Sequence, residues 1–148
     1  MDLMLEDVLD VQSWNEPGYR SLVFSDGWRA AMLNDVSRFY RENVNELQRH
    51  NTSDELFILL RGHCELLIGE VSEEQGMILN RVTLKPNVFY TVRRGVWHSH
   101  ILEKDTSVAV IENADVGQMN TDYMALDLST TEIRETGRHL GLPGHFRV

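Results

Sequence analysis

Five side chains in two separate stretches of this chain are of the types that hold a cation. Gln48 and His50 stand two residues apart, Glu55 follows close behind, and a distant stretch supplies His98 and His100, again two apart. In an extended chain, residues two apart point to the same face, so each pair shares one side of its strand. The polar stretch 51–54 reads as a short turn that folds Glu55 back beside His50. If both strands curve into one wall, their inward faces meet. Two imidazoles, a carboxylate and an amide oxygen then form a mixed N/O set, better suited to Fe, Mn, Ni, Co or Zn than to Ca or Mg. The same groups also satisfy one another as a buried polar network with no ion. The spacing favours the metal.

The elements that must position these residues are strands. Residues 19–24 and 28–33 flank Ser25-Asp26-Gly27, the pattern of a hairpin. Further extended segments are expected at 45–50, 55–60, 64–69, 77–84, 88–92, 96–103, 107–112 and 123–127. Residues 71–76 read as an exposed acidic hairpin loop, and Lys85-Pro86-Asn87 as a turn in which proline supplies its fixed φ. Gly62, Gly69 and Gly95 are expected in turns at positive φ. Short strands at this even spacing predict a sandwich or barrel and not alternating βαβ units. Ser129-Thr130-Thr131-Glu132 looks like a helix start, so a short C-terminal helix is expected over about 130–140, ended by Gly141 and Pro143.

The two stretches resemble the paired motifs of the small single-domain cupins. The first motif is matched by Gln48-x-His50, four residues, Glu55, six residues and Gly62, with glutamine standing where the family has its first histidine. The second is matched by Arg93-x-Gly95, two residues and His98, with arginine in place of proline. The double-motif core covers about residues 43–112 of a single domain spanning 1–148. The resemblance implies an all-β jelly-roll β-barrel, a double-stranded β-helix. It also implies that Gln48, His50, Glu55 and His98 occupy the four ligand positions of one divalent transition metal ion. A neutral amide oxygen is a poorer donor than imidazole, so Gln48 should lower the affinity.

Around that centre, His100, Tyr40, Arg38, Phe57 and Tyr90 are candidates for lining a ligand pocket. Asp54 should point away into solvent, and Glu112-Asn113 either reaches the barrel mouth or caps a strand end. No residue is singled out as catalytic.

Composition narrows the function further. The net charge of −9 and the scattered basic residues work against nucleic acid. The acidic N-terminus does not read as a secretory signal, and no apolar run is long enough to span a membrane. The lone cysteine, Cys64, excludes an internal disulfide framework and fits a reducing, cytoplasmic setting. The expected function is a metal-binding small cupin acting on a small polar or anionic metabolite by oxygenase or isomerase/lyase chemistry. The alternative is a non-catalytic ligand-binding or sensing cupin. A homodimer is the expected assembly, since exposed sheet edges invite pairing.

Overall fold

In the computed structural model, residues 2–135 are described, and strands dominate them. In chain order they are β1 (Gly18–Ser25), β2 (Trp28–Asn34), β3 (Glu46–His50), β4 (Glu55–Arg61), β5 (Cys64–Ser72), β6 (Gly76–Thr83), β7 (Phe89–Val92), β8 (His98–Leu102), β9 (Ser107–Asn113), β10 (Thr121–Ala125) and β11 (Glu132–Glu135). They form two sheets, ordered β1-β2-β9-β4-β7 and β10-β3-β8-β5-β6-β11. Every pairing is antiparallel except that of β11 with β6.

Period-two alternation decides what fills the space between the sheets. On β4, Glu55, Phe57 and Leu59 face inward while Leu56, Ile58 and Leu60 face out. Val108, Val110 and Glu112 do the same on β9. Phe57, Leu59, Val108 and Val110 meet Cys64, Leu66 and Leu102 of the second sheet in one apolar cluster. Burying side chains of this size stabilises by about 1.5–3 kcal/mol each. The cluster fills one end of the space between the sheets and leaves the other to polar side chains.

The second sheet is covered on both faces. Its outer side carries Leu47, Leu67, Leu79 and Ile101 under Val44, Leu126, Leu128 and Ile133. All five residues of β8 are therefore buried.

Three sequence expectations are corrected or refined here. Residues 129–135 do not begin a helix. The Ser129 N–H and hydroxyl both donate to the Asp127 carboxylate, at 2.9 and 2.6 Å, and the Thr131 hydroxyl donates to the Asp127 carbonyl at 2.6 Å. Those bonds close a local turn. β11 then pairs along β6, which places Ile133 on the outer apolar layer. The remainder of the expected helix, with His139, and the tail beyond it, with His145, lie outside the described residues.

The hairpin expected at residues 71–76 is present, but its turn is tighter, because β5 runs to Ser72 and β6 begins at Gly76. Gly69 is no turn residue. It sits within β5, where a Cβ would come within 2.9 Å of both Met77 Sδ and Trp97 Cβ. Among the described residues no helix is long and apolar enough to cross a membrane.

Candidate metal centre

Three loops set the register of the site. After β4 the chain turns at Gly62, whose φ is +83° and whose Cβ, if it had one, would stand 2.4 Å from Thr106 Oγ1. Only glycine fits there. The loop before β8 turns at Gly95, with φ +77°, and the Gly95 N–H donates to the His50 carbonyl at 2.7 Å. That bond ties the second motif to the end of the first. Asp54 adds another tie, accepting the Arg94 N–H at 2.9 Å. This bond and the Arg94 side chain hold the Asp54 carboxyl below its ordinary value, so Asp54 keeps the partly exposed position expected of it and also staples the two loops. Finally, the Ser53 hydroxyl accepts the Asn113 N–H at 2.9 Å, anchoring the β3–β4 turn to the end of β9.

The result is a convergent cluster. His50 Nε2 lies 3.0 Å and His98 Nε2 2.8 Å from the same oxygen, Glu55 Oε2. All three side chains are buried, His98 almost completely. The donor atoms of the three residues lie within 4.8 Å of one another. Burial by itself would raise the Glu55 carboxyl, but hydrogen bonds and charge from the two histidines bring it down to about 2. Burial opposes protonation of His50, and its bond to Glu55 outweighs that and raises it.

The outer nitrogens fix the rings. His98 Nδ1–H donates to the Val96 carbonyl at 2.9 Å, and His50 Nδ1 meets the Thr121 hydroxyl at 2.9 Å. A neutral His98 so oriented turns a lone pair toward a carboxylate oxygen, so a cation belongs between them. A proton can fill that role, and so can a metal ion. Carbonyl or hydroxyl support behind a ligating imidazole is the usual arrangement at metal sites.

Charge counting agrees. Glu112 is the direct neighbour of Glu55 across the β4–β9 ladder and of Arg29 across β2–β9. With neutral imidazoles, two buried carboxylates face one guanidinium, leaving one negative charge uncompensated. The donor set fits a divalent cation. Gln48 pairs with His98 across β3–β8 and lines the cavity above the cluster.

That cavity has a volume of about 780 Å³, and His50, Glu55 and Glu112 form part of its lining. Of the five pocket candidates, Arg38 and His100 line it, Arg38 with its guanidinium 4.4 Å over the Phe39 ring. His100 is buried with neither ring nitrogen hydrogen-bonded, and burial pushes it down to about 4. The other three stand elsewhere. The Tyr40 hydroxyl donates to Asp35 at 2.8 Å, Tyr90 accepts the Lys85 N–H at 3.0 Å, and Phe57 is core, its ring centroid 6.3 Å from that of His98. The alternation that suggested them placed Phe57 and Tyr90 inward but at the apolar end.

Sequence reasoning missed Tyr19, Arg29 and Thr121, and it left Glu112 undecided between barrel mouth and strand cap. Glu112 Oε1 accepts from Tyr19 Oη at 2.7 Å, Arg29 Nε at 3.1 Å and Arg29 Nη2 at 2.8 Å. Burial first, and then the bond to Glu112, push the Tyr19 phenol up to about 12, so it keeps its proton. The signal was present in the strand phase, since Arg29 precedes inward Ala31 and Leu33 by twos, as Glu112 follows Val108 and Val110.

No model of a known protein family matches this chain, and no curated protein matches it in sequence. Solved structures do. The Streptomyces nucleoside dehydratase Pac13 shares 10% identity over 76% of this chain and 83% of its own, with a TM-score of 0.52. A cupin-2 domain protein of Shewanella frigidimarina shares 17% identity over 68% of this chain and 84% of its own, with a TM-score of 0.48. KdgF from Halomonas shares 16% identity over 78% and 96%, with a TM-score of 0.47. At these identities the likeness is one of fold, and the fold is that of the small cupins.

Proposed function

We propose that this cupin-fold chain is a metal-dependent enzyme that takes a small polar or anionic metabolite into its barrel. The observation that carries the reading is the convergence of His50 Nε2 and His98 Nε2 on Glu55 Oε2 beside the cavity. In this reading His50, His98 and Glu55 hold one divalent transition metal ion, with Gln48 as the fourth donor. The bound ion supplies Lewis acidity or an open position of the kind found in two-His-one-carboxylate oxygenase centres.

The chain's own residues do the rest. Val96 and Thr121 orient the imidazoles, and the apolar end of the barrel closes the site from below. A single ligand carboxylate under a divalent ion leaves an excess positive charge, which favours an anionic substrate group. A cavity of about 780 Å³ is of metabolite size, and structures of Pac13 with uridine give one example of such a ligand in this fold. Oxygenase chemistry and isomerase or lyase chemistry both suit such a centre. The protein is further proposed to act in the cytoplasm and as a homodimer.

Elemental analysis of freshly purified protein tests the reading. About one transition metal ion per chain is expected, with loss of that ion in His50→Ala and His98→Ala. Full occupancy in either variant overturns the ligand assignment. A metal-free wild type that still binds a small molecule would instead support a non-catalytic binding cupin, in which the histidines and Glu55 form a proton-sharing network.

A further inference from the structure

The second carboxylate of the site is tethered through one oxygen only. Glu112 Oε1 takes three donors, from Tyr19 and Arg29, whereas Oε2 accepts no hydrogen bond among the described residues. Oε2 lies 3.9 Å from His50 Nε2, and Glu112 belongs to the cavity lining. The side chain is only 4% exposed, so this is a buried acceptor facing the cavity beside the candidate metal. Glu112 Oε2 is not among the fully buried unpartnered atoms, so it is open to whatever occupies the cavity. Glu112 adjoins Glu55 across the ladder and lies 3.9 Å from His50 Nε2, but it is outside the cluster of three, so it stands next to the ligand set and not within it.

We infer that Glu112 Oε2 is a specificity determinant that accepts a hydrogen bond from a hydroxyl of the bound metabolite. This rests on the functional reading above and deepens it, by naming the substrate as a hydroxylated small anion. A hydroxyl is the donor that the electrostatics select. Arg29 already neutralises Glu112, so an ammonium group would bring a positive charge the pair does not need. The anionic end of the same molecule is drawn to the metal side, where one carboxylate faces a divalent ion. A hydroxyl next to a carboxylate, as in an α-hydroxy acid, spans the short step between the two.

Glu112→Gln tests this with little disturbance, because the clamp dictates how the amide sits. Tyr19 and Arg29 both donate and so select the amide oxygen at the Oε1 place, which puts the NH₂ group where Oε2 stood. The acceptor becomes a donor. The probes are glycolate and methoxyacetate, which differ in having or lacking the hydroxyl proton, titrated calorimetrically into the purified protein.

Wild type should favour glycolate by at least about tenfold, as expected for a hydrogen bond to a charged acceptor. In Glu112→Gln that preference should vanish or invert, while in Tyr19→Phe, which keeps the carboxylate in place, it should persist. An unchanged glycolate preference in Glu112→Gln overturns the inference, as does a wild type that binds neither acid or both equally. Metal content measured on the same samples separates the two readings. If wild type carries no metal, the enzymatic proposal fails, and the glycolate ratio still decides the role of Glu112.

Discussion

His100 is the residue whose environment is least comfortable. Its ring is packed 4.5 Å from that of Phe39, and neither nitrogen has a partner. Burying such a polar group without a hydrogen bond costs about 1–3 kcal/mol. His100→Leu, of similar size, should therefore raise the melting temperature by about 2–4 °C or more, measurable by differential scanning calorimetry.

The acid response has a definite sign. Burial holds the folded-state value at about 4, below the ordinary 6.5, so between those values the unfolded chain binds a proton that the folded one refuses. Stability from this group is complete above pH 6.5 and is lost as pH falls toward 4, by up to about 3 kcal/mol. The advantage of His100→Leu should thus widen across that window. An advantage that stays constant with pH would show that His100 is not the titrating group.

At the level of elements, the turns bear unequal loads. Gly62→Ala forces a Cβ into Thr106 at positive φ, whereas at Gly95 the φ is also positive but nothing lies within 4 Å of the added carbon. Gly95→Ala should cost about 1–2 kcal/mol from backbone conformation alone, and Gly62→Ala clearly more, by urea denaturation. Equal costs would mean that Thr106 simply moves aside.

These turns also explain what the sequence made legible. His50, Glu55 and His98 stand beside polar or glycine turns at fixed spacing, so strand alternation was enough to bring them together. The hairpins were readable for the same reason. Arg29 and Glu112 were harder to read because they extend inward apolar rows at strand ends, where a charged residue looks like a cap. The residues before β11 misled because hydroxyls that cap helices close turns equally well. The choice was made by Ile133, through a tertiary contact that no local pattern records.

At the scale of the whole molecule, the outward face of the first sheet is conspicuously apolar. Leu56, Ile58 and Leu60 of β4 share it with Ile111 and Phe89, and Leu60 and Phe89 are 51% and 66% exposed. A broad apolar face of this kind marks an association surface. Light scattering should give twice the 17.1 kDa chain mass, and Phe89→Glu should shift the species toward a single chain. A monomer at micromolar concentration in the wild type would remove the dimer from consideration.

The bonds from Gly95 to the His50 carbonyl and from Arg94 to Asp54 hold both motif loops with protein atoms alone. If the site holds an ion as proposed, stripping it by dialysis against a chelator should therefore leave the circular dichroism spectrum unchanged and the unfolding midpoint lower by no more than the ligand-linkage amount. The vacated pocket would keep its shape and reload quickly, a receptacle finished before its cargo arrives.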